Sequence, residues 1–172
     1  MKPRVNFLIV AVVSAVTIIA FACFIYLRAR EERTVIDEAN NLVGQSFSLN
    51  HFMEAGSNKD YVFEIGKNES VMIVYLLKGC EACESELQAI AKTNLDKNIK
   101  IFGIMFDNEE SVTDYIMENH INFPVLLDKD GTLLKDNGLI HFPTNLKVKN
   151  GVIERALFGS FQDKEQLLEF AK

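Results

Sequence analysis

Two cysteines three residues apart, Cys80 and Cys83, are the clearest candidates for chemistry in this chain. In the stretch Cys80-Glu81-Ala82-Cys83 they stand at i and i+3, which are neighbours on one face of a helix. Their sulfurs can therefore close a small disulfide ring with little backbone movement. At the opening of a helix the first sulfur meets unpaired N–H groups and the positive end of the helix dipole. Those surroundings favour thiolate over thiol, and the thiolate is the attacking species. The spacing predicts exchange through a mixed disulfide on Cys80, resolved by Cys83 one turn deeper. Two plainer readings compete. Half a zinc site would want a second C-x-x-C or a His pair, and neither is present. The other is a pair of inert core thiols.

The flanking sequence supplies the elements that must hold this pair. Val71-Met72-Ile73-Val74-Tyr75-Leu76-Leu77 is apolar throughout and rich in β-branched and aromatic residues, as a central strand covered on both faces should be. Lys78-Gly79 makes a turn, and a helix runs from Cys80 to about Lys92. Ile99 to Phe106 reads as a second buried strand. Ser111 is placed to cap a helix reaching about Asn119. Phe123 to Leu127 is a short extended piece closed by the turn Asp128-Lys129-Asp130-Gly131. Leu133 to Asn137 fits one helical turn. Thr144–Lys149 and Val152–Phe158 flank Asn150-Gly151, the strongest hairpin signal in the chain. Asp163 opens a last helix. Ahead of the redox stretch, Phe47-Ser48-Leu49 and Tyr61 to Ile65 alternate as half-buried strands do, with a turn-rich Glu54 to Lys59 between them; they predict a leading hairpin.

The 172 residues allow one domain and an appendage. A formal charge of −6 makes nucleic acid a poor partner. Val5 to Leu27 carries no charge, about 35 Å of helix, enough to cross a bilayer core. Ala20-Phe21-Ala22 matches a signal-peptide cleavage pattern, but the apolar run continues past it through Phe24-Ile25-Tyr26-Leu27. The reading is a short tail (1–4), an uncleaved single-span anchor (5–27), a polar linker (28–40) and a folded domain (41–172). Cys23 is then a small membrane-buried residue, with lipidation or an intermolecular disulfide as its lesser roles. Lysine and arginine number two before the span and three just after it, so charge does not set orientation. A tethered exchange site suits a compartment where disulfides persist, which places the domain outside the cytoplasm.

The order of elements fits a mixed sheet with helices on both sides. From about Leu42 to Phe170 the chain resembles the thioredoxin-like fold, specifically the membrane-anchored thiol–disulfide oxidoreductases of the TlpA/ResA type. The resemblance rests on the strand–C-x-x-C–helix, on Phe123-Pro124-Val125-Leu126-Leu127-Asp128, and on Phe142-Pro143-Thr144 before the terminal hairpin. It implies that Cys80 and Cys83 are the redox pair and that no cofactor is needed beyond their disulfide. It implies a cis peptide at Pro143 lying against that disulfide, with neighbouring backbone able to pair with a substrate chain. Glu86 matches the acid three residues after the second cysteine, placed to exchange the resolving thiol's proton; the alternative is a solvated carboxylate like Glu81 and Glu84. Gly79, Phe142 and Pro143 would form the substrate surface. Here the chain departs from the pattern. Gly79 replaces a frequent Trp, Ala82 a frequent Pro, and Phe142 a small or β-branched residue. His141 lies close to that surface in sequence and reads as a packing residue.

Such relatives reduce apocytochrome c or other extracytoplasmic disulfides and are recharged by a membrane thiol carrier. Charge agrees with a reductant. Lys78 and the helix dipole favour the Cys80 thiolate while Glu81, Glu84 and Glu86 oppose it, and a less stabilised thiolate makes the better reductant. Two other classes stay open. A thiol peroxidase would want Thr three residues before its reactive cysteine, where Leu77 stands. A non-catalytic copper or partner-binding module would use both sulfurs and His141 as soft ligands.

Overall fold

The computed structural model describes residues 3–47, 52–56, 60–61, 69–93, 95, 99–132, 135 and 141–172. Along them run α1 (Pro3–Leu42), β1 (Phe52–Glu54), β2 (Asp60–Tyr61), β3 (Ser70–Leu76), α2 (Glu81–Lys92), β4 (Lys100–Met105), α3 (Glu109–Glu118), β5 (Val125–Leu127), β6 (Thr144–Lys149), β7 (Val152–Phe158) and α4 (Lys164–Ala171). The chain divides into two units, residues 1–38 and 39–172.

The first unit is helix alone. α1 continues unbroken from the apolar run through the polar stretch expected as a linker. Among its described residues the apolar side chains are exposed within the unit: Val10, Ile18, Ile19, Phe21 and Phe24 are each 60–68% exposed. A helix that is apolar on every side needs an apolar surrounding, and this one is long and apolar enough to cross a membrane. Its Thr17 hydroxyl donates to the Val13 carbonyl at 2.9 Å, so the polar group is satisfied within the helix. Cys23 is a free, exposed thiol.

The second unit is built on a seven-stranded mixed sheet ordered β2-β1-β5-β4-β3-β6-β7. β3 pairs parallel with β4, from Val71 opposite Lys100 to Leu76 opposite Met105. On its other side β3 pairs antiparallel with β6, from Ser70 opposite Lys149 to Tyr75 opposite Thr144. Alternation along β3 feeds two cores. Met72, Val74 and Leu76 pack with Leu87 and Ile90 of α2, Val112 and Tyr115 of α3, and Leu167 and Phe170 of α4. Val71, Ile73 and Tyr75 pack on the opposite face with Ile104, Leu126, Leu146 and Val148, beneath Leu42 from the last turn of α1 and Phe47. The two parallel crossovers step across the sheet in the same direction, so right-handedness puts α2 and α3 on one face. The expected mixed sheet is observed; among the described residues α2, α3 and α4 pack into one core, and the last turn of α1 reaches the other.

Local expectations differ from the structure in two places. The leading hairpin uses β1 and β2, with Phe52 opposite Tyr61, so its first strand begins five residues beyond Phe47. Ser48 and Leu49, and residues 62–65 of the second expected strand, lie outside the described residues. β1 is fixed there because Met53 and Glu54 also pair with Leu127 and Leu126 of β5; Phe47 instead is buried and bonds its N–H to the Gly151 carbonyl. Helix α3 is capped by Asn108 rather than Ser111, whose own N–H donates to Asn108 Oδ1 at 2.9 Å. Asn competes well for the cap, and two acidic residues then occupy the favourable first turn. The helical turn expected at Leu133 to Asn137 falls largely on residues that are not described. The turn at Asn150-Gly151 has both residues at positive φ, as that hairpin type requires.

Gly103, in the middle of β4, is a packing requirement. A Cβ there would come within 3.1 Å of Val125 Cγ2 and 3.2 Å of the Phe123 ring. Gly103→Ala is expected to destabilise the domain by about 1–3 kcal/mol, read as a lowered midpoint in thermal or urea unfolding. An unchanged midpoint would mean that these side chains yield freely.

Candidate active site

The chemistry lies where β3 hands over to α2. After Leu76 the chain turns, and the Cys80 N–H donates to the Leu77 carbonyl at 3.3 Å. Gly79 adopts φ +75°, a conformation that favours glycine, and apart from its chain neighbours no residue comes within 4 Å of where its Cβ would stand. The residue is therefore dictated by the backbone, and it leaves open space beside Cys80. Cys80 is the N-cap of α2, with extended backbone. Its Sγ accepts the Cys83 N–H at 3.2 Å, in the place usually held by a hydroxyl or carboxylate oxygen. A helix N–H directed at that sulfur stabilises its thiolate once reduced. The two sulfurs are joined, with their Cα atoms 5.2 Å apart. Cys80 is partly exposed, while Cys83 is 0% exposed and packs in the core beneath α2. An incoming protein can reach only the first sulfur.

A second wall of the site comes from the approach to β6. The Phe142–Pro143 bond is cis, and the Phe142 carbonyl lies 4.0 Å from Cys80 Sγ. The structure thus brings Gly79, Phe142 and Pro143 to the neighbourhood of the disulfide. The Phe142 ring stacks on Tyr75 with centroids 5.3 Å apart, and Tyr75 donates its hydroxyl to Asp128 Oδ2 at 2.7 Å. Burial pushes the Tyr75 hydroxyl far above its ordinary range, and the Asp128 hydrogen bond and charge push it the same way. His141 packs its ring on Phe158, centroids 4.7 Å apart, and its carbonyl accepts the Thr144 hydroxyl.

Glu86 is not a solvated helix-face acid. Glu81 and Glu84 are exposed, but Glu86 is 0% exposed, one turn beyond Cys83 on α2. Its Oε2 accepts the Phe161 N–H at 2.9 Å, whereas Oε1 has no hydrogen-bond partner. Burial drives its pKa up to about 7, against the opposing pull of the Phe161 N–H and the Asn145 amide. A carboxyl poised there can take or give a proton near neutral pH. The same loop is fastened from β6, where Asn145 Nδ2 donates to the Gly159 carbonyl at 3.1 Å.

Tyr75, Asp128 and Asn145 did not stand out in the sequence. Each left a faint mark: a hydroxyl within an otherwise aliphatic strand, an acid directly after a buried one, and an amide at an inward strand position. A buried polar group must find a partner, but its sequence position does not say which. Among the described residues no three His, Cys, Asp or Glu side chains converge as metal ligands would.

Residues 39–165 match the AhpC/TSA family. Over 111 residues the chain is 28% identical to the thiol-disulfide oxidoreductase ResA of Bacillus thuringiensis subsp. konkukian (strain 97-27), covering 62% of this chain and 64% of that one. It is 27% identical over 114 residues to sporulation thiol-disulfide oxidoreductase A of Bacillus subtilis (strain 168), covering 62% and 68%. The chain thus aligns with a little under two thirds of the length of the ResA relative. Among solved structures, StoA from Bacillus subtilis superposes with a TM-score of 0.59 at 24% identity, over 76% of this chain and 99% of that one. The thioredoxin domain of a thiol-disulfide oxidoreductase from Bacteroides vulgatus gives 0.64 at 20% identity, over 76% and 98%. These likenesses identify the fold as thioredoxin-like, and with a buried strand delivering Cys80 and Cys83 to the tip of a helix, the chain belongs to the AhpC/TSA family.

Proposed function

We propose that this chain is a membrane-anchored thiol–disulfide oxidoreductase that reduces disulfides in extracytoplasmic proteins. The observation that carries the reading is the asymmetry of the pair: one sulfur partly exposed at a helix N-cap, the other buried behind it and bonded to it. The relatives named above as thiol-disulfide oxidoreductases support it. In the reduced chain, the Cys80 thiolate attacks one sulfur of a substrate disulfide, forming a mixed disulfide and releasing the other substrate sulfur as a thiolate that takes up a proton. Cys83 then attacks Cys80 Sγ, which frees the second substrate sulfur and leaves the Cys80–Cys83 disulfide. Two electrons pass from the chain to the substrate. Glu86, buried one turn beyond Cys83, accepts the proton that Cys83 must lose. Gly79, Phe142 and Pro143 form the surface on which the substrate backbone lies. A membrane thiol carrier returns the pair to the dithiol.

Residues 5–27 cross the bilayer in this reading, 28–40 link the span to the domain, and the domain lies outside the cytoplasm. Apocytochrome c is one substrate that the family resemblance suggests. The thiol peroxidase alternative is less well supported, because Leu77 stands where its reactive-site threonine belongs.

Cys83→Ser leaves the first step intact and removes the second. The full chain carrying this change, reduced and mixed with a disulfide-containing protein, is expected to accumulate a mixed disulfide on Cys80, while Cys80→Ser accumulates none. Equal trapping by both variants, or by neither, would refute the assigned order, and fast peroxide consumption by the wild type would favour the peroxidase.

Glu86 makes a separate, signed prediction. Its folded pKa, about 7, lies above the ordinary carboxylate value of 4.5. Between those values the folded state holds a proton that the unfolded state has lost, so this group's contribution to stability falls as pH rises through that window. Wild type is expected to lose stability relative to Glu86→Gln between pH 5 and pH 7.5, measured by denaturant unfolding. The same variant is expected to slow disulfide reduction by about 10²-fold, the low end for a lost acid–base group. A stability difference flat with pH would show that Glu86 is ionised throughout.

A further inference from the structure

The turn that carries Cys80 is fastened sideways by groups that the exchange steps do not use. Lys78 donates Nζ to Ser111 Oγ at 3.1 Å. The Ser111 hydroxyl donates in turn to Asp107 Oδ2 at 2.7 Å, and Asp107 Oδ1 accepts the Asn108 N–H at 2.7 Å. Asp107 follows the end of β4 and Ser111 lies in the first turn of α3, so the cluster ties the turn after β3 to the loop after its parallel neighbour. The Ser111 hydroxyl, then the Asn108 N–H, hold the Asp107 carboxyl below its usual range, and the Lys78 charge adds to them. Asp107 therefore carries its full charge at neutral pH.

The described charged groups and histidine in the turn, in the first two turns of α2 and just before the cis peptide are Lys78, Glu81, Glu84, Glu86 and His141. Lys78 is the permanent cation of this set. An unmatched ammonium two residues ahead of the sulfur would favour its thiolate. An ammonium matched by a nearby carboxylate acts far less at a distance, because the two fields oppose each other. We propose that Ser111 and Asp107 are positioning residues for the redox pair, engaging and neutralising the Lys78 ammonium so that the Cys80 thiolate gains little from it. The inference rests on the exchange chemistry proposed above and adds a cause for its direction, since a thiolate with less support belongs to a stronger reductant. The cluster is largely open to solvent, so its effect is modest.

The test uses the full chain in detergent micelles, with Asp107→Asn, Lys78→Met, the double variant, Ser111→Ala and Ser111→Thr. Two quantities are read: the pH midpoint for alkylation of Cys80, followed by mass spectrometry of its peptide, and the dithiol–disulfide equilibrium with glutathione. Asp107→Asn is expected to lower the alkylation midpoint and to shift the equilibrium about threefold toward the dithiol, roughly 15 mV less reducing. Ser111→Ala moves the same way and Ser111→Thr stays with wild type. Lys78→Met moves the opposite way, leaving Asp107 unmatched, and the double variant returns close to wild type. A purely structural role would leave the alkylation midpoint in place. Single variants that match wild type in both readouts, or a double variant that stays with Asp107→Asn instead of returning to wild type, overturn the inference while the exchange reading stands. A wild-type chain that does not equilibrate with glutathione overturns both.

Discussion

The site depends on the burial of β3 on both faces. Six consecutive residues, Val71 to Leu76, are each no more than 1% exposed, and they are clamped by ladders on either side, parallel to β4 and antiparallel to β6. A strand held this way has no freedom to slide, because a shift of one residue would exchange its two faces. Its end is therefore a fixed point, and the turn through Gly79 transfers that fixity to Cys80. The same strand, through its pairing with β6, sets where Pro143 and Phe142 arrive. The sulfur and the backbone that faces it are thus referred to one common strand.

Around this point the domain buries polar groups that a purely structural core would avoid. Tyr75 and Asp128 satisfy each other beneath the Phe142 ring. Glu86 is satisfied at one oxygen by the Phe161 N–H and left without a partner at the other. An ionised carboxylate in such a place is costly, and the ordinary response is a raised pKa. That response is also what a proton donor or acceptor for a buried thiol requires. In the proposed mechanism, destabilisation at neutral pH and the capacity to exchange a proton in the resolving step have the same physical origin.

In the proposed function the role of the helical unit is to confine the domain. In that proposal the apolar helix lies in lipid, so the domain would meet its partners at a membrane surface. Tethering raises their effective concentration without any new contact.

Periodicity and motif order were enough to read much of this molecule from its sequence. The apolar run before Cys80-Glu81-Ala82-Cys83, the Asn150-Gly151 hairpin and the charge-free N-terminal segment each report a local physical requirement: burial on two faces, positive φ, and solubility in hydrocarbon. Such requirements act on neighbouring residues and so leave a continuous trace. The first strand of the leading hairpin was misplaced because its position is set by pairing with β5, more than 70 residues away. The same reason hid the partners. Glu86 looks like Glu81 and Glu84 until α2 docks and turns one of the three inward against Phe161. Asn145 and Asp128 acquire meaning only from groups that the fold delivers to them, and Lys78 loses the isolation its sequence suggests once Ser111 and Asp107 arrive. The sequence by itself determined the C-x-x-C pair and the elements that carry it. Tertiary structure decided which charges are buried, matched or left exposed, because burial and pairing are properties of contacts between segments distant in the chain.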